Sequence, residues 1–295
     1  MNYMKNYTVK NNTCSVSVDT FGAELSSFKV DGKEYLWQRD PEVWPGSAPV
    51  LFPIVGMLKG EGETTLIDGK PYHMEIHGFA KDTDFKVDYL TDDSVTLSIE
   101  SNSETLKMYP YNFKFSVEYK AIENRFVQTY IIENKNDIDM PFVAGTHPGF
   151  NVPIFEGEFS DHKLVFEKNE NAPVYRIDDN GIIDDYNTEK IFDNNNEIAL
   201  DFSHFDKGAL VFEKLNSKWV KLVDSKGRGI RVDFADYDYF GVWQRPNVKP
   251  GYLCLEPWTG MNDCYSGDGI YKNKRGMRFI PPHEKVTLAI KVTVI

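Results

Sequence analysis

The chain has 295 residues, 41% hydrophobic and 14% aromatic, with 45 acidic against 33 basic side chains and a formal net charge of −12. That length suits one large β-sandwich or barrel-like domain, and the composition is that of a globular chain rather than a disordered one. The acidic balance argues against nucleic acid or an anionic membrane as partner, because either needs a clustered basic surface, and it mildly disfavours a heavily phosphorylated substrate.

The first twenty residues are polar and lack the apolar core of a secretion signal. No segment approaches the ~20 apolar residues of a membrane span, so a cytoplasmic location is expected. Asp31-Gly32 reads as a hairpin turn between Phe28–Val30 and Tyr35–Trp37, and Asp68-Gly69 as another between Thr65–Ile67 and Pro71-Tyr72. Ser103–Met108 is the one helical pattern, a short turn ended by Tyr109-Pro110. Phe113, Phe115, Val117 and Tyr119 alternate as one face of a strand, which turns at Glu123-Asn124 and returns through Phe126–Ile132.

The polar stretch from Asp178 to Glu197, rich in Asp and Asn, reads as a long surface loop. Ser225–Gly229 joins a strand at Trp219–Val223 to another at Ile230–Phe234. The final segment places Val286, Leu288, Ile290, Val292 and Val294 on one face by strict alternation. Many short strands with regular turns imply an all-β fold of antiparallel sheets packed face to face, expected as a single domain over residues 1–295.

Three cysteines, Cys14, Cys254 and Cys264, have no zinc-type spacing and no disulfide framework, and are expected as buried, unreactive thiols. Among six histidines, His77 stands in Glu75-Ile-His-Gly-Phe79 and His147 in Gly145-Thr-His-Pro-Gly149, neighbourhoods shaped by backbone demands at strand ends. His73, His162, His204 and His283 lie among polar or turn residues and read as surface side chains. His73 and His77 would be about 13 Å apart on a strand at ~3.3 Å per residue, too far to share a metal ion. Glu256 interrupts the apolar run Leu253–Trp258, where a carboxylate is costly to bury without partners. A histidine beside glycine is as a rule only a satisfied polar residue, and a buried glutamate often anchors backbone amides. Trp258, Trp243, Phe79 and Phe150 lie near these groups in sequence and offer aromatic faces suited to a sugar, although core packing explains most aromatic residues. The chain has no Walker ending after Gly56-Met-Leu-Lys-Gly-Glu-Gly62 and no Ser-His-Asp arrangement. General acid–base chemistry is the reaction type left standing.

The segments Ala48-Pro-Val-Leu-Phe-Pro-Ile-Val-Gly56, His77-Gly-Phe-Ala80, Tyr109-Pro110, Thr146-His-Pro-Gly-Phe150 and Leu255-Glu-Pro-Trp-Thr-Gly260, in this order, resemble the aldose 1-epimerase (galactose mutarotase) family, in its LacX-like branch. The resemblance implies a β-supersandwich, a pocket for a monosaccharide, and no metal or organic cofactor. It makes His147 the general acid, Glu256 the general base, and His77 the residue that holds the sugar near its ring oxygen. Asp206, Lys59, Trp243, Trp258 and Phe79 are the candidates for substrate binding. In such a site Glu256 would be ionised at neutral pH, and its charge would raise the histidine from its ordinary value near 6.5. Relatives in the family tend to carry arginine where this chain has Met57, and Lys59 is the nearest cation; the register of Asp206 is approximate. The expected activity is interconversion of the anomers of a free aldohexose by a monomer or homodimer. The alternatives are a hexose-6-phosphate mutarotase, with Lys59, Arg245 or Lys274 on the phosphate, and a carbohydrate-binding protein that has lost catalysis.

Overall fold

Two-residue alternation along the strands sorts side chains to the two faces of each sheet, and most of this chain is so organised. The computed structural model describes residues 5–246, 248 and 251–295. Nine strands form one antiparallel sheet, running from the edge strand Lys86–Leu90 through Ser94–Glu100, Phe113–Ile122, Arg125–Asn134, Lys285–Val294, Gly229–Asp233, Trp219–Val223 and Lys163–Glu170 to Asn195–Ala199. Its centre matches the expected hairpin: Phe113 pairs with Asn134 and Ile122 with Arg125, and Lys285–Val294 lies on the other side of the returning strand. Leu288, Ile290 and Val292 of that last strand are buried, while the residues between them are partly exposed.

A second antiparallel sheet of eight strands runs in the order Ile183–Glu189, Val174–Ile177, Leu210–Glu213, Tyr239–Trp243, Tyr252–Trp258, Gly145–Thr146 and Val50–Leu51, with Gly149–Asn151 also paired to Tyr252–Trp258. The two large sheets face one another. Phe52 stacks on Phe115 with ring centroids 4.6 Å apart, Phe166 meets Phe212, and the Tyr130 hydroxyl donates to the Gly145 carbonyl at 3.0 Å. A four-stranded sheet over residues 6–34 closes one side, with Phe28 set edge-on to Phe126. Its Asp31-Gly32 turn has positive φ at both positions, as does Asp68-Gly69, the geometry that a two-residue hairpin requires.

In the eight-stranded sheet the face turned inward carries Leu210, Phe212, Phe240, Val242, Leu253 and Leu255. The opposite face carries a smaller cluster that includes Leu51, Val211, Tyr239 and Trp258, with Trp243 packed against it. Both faces are covered, so every residue of Tyr252–Trp258 is buried and its alternation is masked in the sequence.

Two expectations require correction. The stretch from Asp178 to Glu197 is not a continuous loop: it contains the edge strand Ile183–Glu189 and most of the edge strand Asn195–Ala199. Backbone pairing needs no apolar side chains, and both strands are largely exposed, which removes the usual hydrophobic signature. His162 is not a surface residue. It is 1% exposed, and its Nδ1 lies 2.9 Å from the Glu158 carbonyl. The expected helix is a single turn, Thr105–Met108, and all three cysteines are free and buried. No described helix is long and apolar enough to cross a membrane.

Candidate active site

The strand Tyr252–Trp258 supplies one wall of the site. Cys254, Glu256 and Trp258 alternate onto the face away from the sandwich core. The chain opposite pairs in two short pieces, Gly145 with Trp258 and Gly149 with Cys254, so His147, midway between, faces Glu256. Its Nε2 lies 3.2 Å from Glu256 Oε2. Pro148 holds the interruption in place, its carbonyl accepting from the Leu255 N–H at 3.1 Å. On the far side of the strand Glu256 pairs with Gly241, and Trp243 pairs with Cys254.

His77 reaches the same place from another segment, its ring centroid 5.7 Å from that of His147 and perpendicular to it. Both His77 and Gly78 have positive φ, and Gly78 lies so close to Phe52 that a β-carbon would fall 2.3 Å from its carbonyl oxygen. Three hydrogen bonds hold this bend: the His77 N–H to the Gly56 carbonyl, the Phe52 N–H to the His77 carbonyl, and the Gly56 N–H to His77 Nδ1 at 3.0 Å. Because Nδ1 accepts, the ring proton of a neutral His77 resides on Nε2, making that nitrogen a donor.

Burial governs the electrostatics. Glu256 is 2% exposed and His147 9%. Desolvation raises the Glu256 carboxyl well above the usual carboxylate range, with the Trp258 indole pulling the other way. Desolvation lowers His147 to about 4 and, joined by the nearby His147, Lys81 and Lys274, lowers His77 well below its ordinary value. Burial thus works against the expected carboxylate that raises the histidine. In a dry environment desolvation disfavours the charged form of both groups, the carboxylate of Glu256 and the imidazolium of His147.

Around the pair stand residues that sequence reasoning passed over. Trp44 lies 5.3 Å from the His147 ring at 34°, is stacked on Tyr252, and meets Trp243 edge-on. Its loop is held by Trp37 Nε1 donating to the Trp44 carbonyl and by Arg245 donating to the carbonyls of Glu42 and Val43. A tryptophan in the Pro/Gly-rich segment Trp44-Pro-Gly-Ser47, just before Ala48–Gly56, was the available signal.

The substrate-binding candidates divide. Trp243 is perpendicular to His147 at 5.5 Å and also lines a cavity of about 700 Å³ with Asp206, Asp178, Asp184, Arg176 and Tyr265. Asp206 and Trp243 therefore share one hollow. Trp258 is 2% exposed, its ring clasped between Gly145 and Gly241. Phe79 belongs to the core, edge-on to Phe52. Lys59 is engaged elsewhere, its ammonium donating to the carbonyls of Cys264, Tyr265 and Gly267. Lys274 is paired with Asp263 at 2.7 Å in a buried contact. Met57 is half-buried against Gly181, where a β-carbon would fall 2.3 Å from its Cγ, and so helps hold the chain beside the cavity. Among the described residues, one trio has ligand atoms close enough to hold a metal ion: His147, Cys254 and Glu256.

Comparison with known proteins agrees with this architecture. Residues 5–292 match the family model described as aldose 1-epimerase. The chain is 33% identical over 298 residues to the chromosomal protein LacX of Lactococcus lactis subsp. lactis, covering 97% of this chain and 98% of that protein. Among solved structures it is similar to a galactose mutarotase related enzyme from Lactobacillus acidophilus, with a TM-score of 0.91, 33% identity, and 99% and 97% of the two chains covered. It is also similar to a galactose mutarotase-like protein from Lactobacillus casei, with a TM-score of 0.90, 26% identity, and 99% and 100% covered.

Proposed function

The chain belongs to the aldose 1-epimerase family of isomerases, and on that premise we propose that it interconverts the α and β anomers of a free aldohexose by acid–base ring opening. The observation that carries this reading is the 3.2 Å contact of His147 with Glu256, with His77 beside it. The whole chain acts as one aldose 1-epimerase-like domain, with a monosaccharide as its small-molecule partner.

Glu256 and His147 at rest hold one transferable proton between them. Its passage from carboxyl to imidazole across their contact makes a carboxylate and an imidazolium with no change in net charge, and sugar hydroxyls entering the site favour that form by solvating both charges. Glu256 then takes the proton of the C1 hydroxyl while the C1–O5 bond breaks. The electron pair goes to O5, which receives a proton from His147, leaving the open-chain aldehyde. Rotation about C1–C2 and closure with the roles exchanged yields the other anomer. His77, neutral and with its proton on Nε2, donates to the sugar near O5. Trp243 offers its face to the sugar C–H groups, and Asp206 accepts from a hydroxyl within the cavity.

The test follows the optical rotation or proton NMR of freshly dissolved glucose, galactose and glucose-6-phosphate with wild type and Glu256→Gln. Wild type is expected to accelerate a free hexose, and the variant to lose at least ~10² of that acceleration. Sugar binding with no acceleration, or acceleration of the phosphosugar alone, defeats the proposal.

A further inference from the structure

The mechanism above gives no role to the cysteine on the catalytic face. Cys254 is fully buried two residues before Glu256 on the same face of the same strand, and its Sγ, His147 and Glu256 each offer a ligand atom within 4.8 Å of the other two. We propose that these three side chains bind one thiophilic divalent cation of the zinc class, and that such an ion inhibits the enzyme by taking its acid–base pair. The inhibition rests on the function proposed above; the binding does not.

Geometry and donor type both support the assignment. Zinc bonds of ~2.0 Å to nitrogen or oxygen and ~2.3 Å to sulfur, at tetrahedral angles, place ligand atoms about 3.3–3.6 Å apart. The His147–Glu256 contact of 3.2 Å already matches that spacing. The longest edge of the triangle needs to contract by roughly 1 Å, within the reach of a cysteine rotamer change. One sulfur, one imidazole and one carboxylate form a set that favours zinc, cadmium or cobalt, while magnesium and calcium require more oxygen ligands. Three protein ligands leave the fourth position for water or a sugar hydroxyl.

The balance of charge also closes. The metal forms bonds to sulfur, oxygen and nitrogen, and the thiol and carboxyl protons leave to solvent. A dication with one thiolate and one carboxylate makes a neutral centre, which a dry interior tolerates far better than a single charge. Bound in this way, Glu256 cannot take the C1 hydroxyl proton and His147 cannot donate to O5.

The test titrates metal-free, full-length protein with Co²⁺ and then displaces it with Zn²⁺. The expected result is a thiolate-to-cobalt charge-transfer band with tetrahedral ligand-field bands, saturating at one equivalent and bleached by Zn²⁺. One equivalent of Zn²⁺ should also abolish mutarotation, and a chelator should restore it. Cys254→Ser should lose the charge-transfer band and weaken Co²⁺ binding at least about tenfold. Glu256→Gln should weaken binding yet keep the band, which provides a second reading if the serine variant does not fold. Absence of the band in wild type, or a band that survives Cys254→Ser and so comes from Cys14 or Cys264, overturns the site. A band without inhibition overturns the inhibitory role. An inactive wild type that still shows the band refutes the proposed mutarotation and leaves the metal site standing.

Discussion

Trp258 lies edge to edge with Gly241 on the neighbouring strand, so close that a β-carbon at 241 would fall 2.6 Å from two atoms of the indole ring and 3.3 Å from Glu256 Cβ. The glycine is therefore a condition for Trp258 and Glu256 to occupy one face together. Gly241→Ala is expected to destabilise the fold by about 1–3 kcal/mol through overpacking. Activity should fall as Glu256 is displaced from His147. Urea unfolding compared with wild type measures the first effect, and an unchanged midpoint would contradict this packing.

Removing the buried acid should stabilise the protein while silencing it. Burial holds the Glu256 carboxyl above its ordinary value, so the folded state binds its proton more tightly than the unfolded state does. Its contribution to stability is fully present below the unfolded value of 4.5 and is lost as pH rises through the raised folded value. Glu256→Gln, which cannot ionise, should be more stable than wild type at neutral pH. The difference should vanish below pH ~4.5. Thermal unfolding of both proteins across that range checks the sign; a glutamine variant less stable at neutral pH than at pH 4, relative to wild type, would refute it.

His147 acts in the opposite direction. Its folded value of about 4 lies below the unfolded 6.5, so its contribution is present above 6.5 and is lost as pH falls through about 4. At ~1.36 kcal/mol per pH unit that gap corresponds to roughly 3 kcal/mol. His147→Gln should flatten the acid side of the stability profile between these limits. In wild type the acid limb of kcat/KM is expected near pH 4 rather than near 6.5, because the active pair carries no net charge until His147 takes up a further proton. A limb near 6.5 would show that water reaches the imidazole.

Trp44 is packed beside that imidazole, its ring set 5.3 Å from His147. Trp44→Ala should admit water, move the acid limb upward toward the ordinary histidine value, and raise KM about tenfold as the aromatic wall beside His147 is lost. Trp44→Phe should restore most of both. The pH profile decides the matter, since a purely structural role for Trp44 would lower stability and leave the limb in place.

Strands whose two faces meet different surroundings are legible in the sequence alone. Phe113–Tyr119 and Val286–Val294 alternate plainly because one face enters the core and the other meets partial solvent. Hairpins at Asp31-Gly32 and Asp68-Gly69 were legible for a local reason as well, the positive φ that these turns demand. Edge strands in the 178–199 stretch were hidden because exposed pairing leaves polar side chains in place.

Within the site, the chain order already marked His77, His147 and Glu256, each set against glycine, proline or an apolar run. Their meeting was decided only by register, which sets His147 across from Glu256 between two short ladders of a strand far away in sequence. Protonation likewise belonged to the tertiary structure, as did the engagement of Lys59 by loop carbonyls and the arrival of Trp44 over His147. A residue type specifies which proton can move; how strongly it is held depends on the water and charge around it, and those are supplied by segments that no local pattern connects.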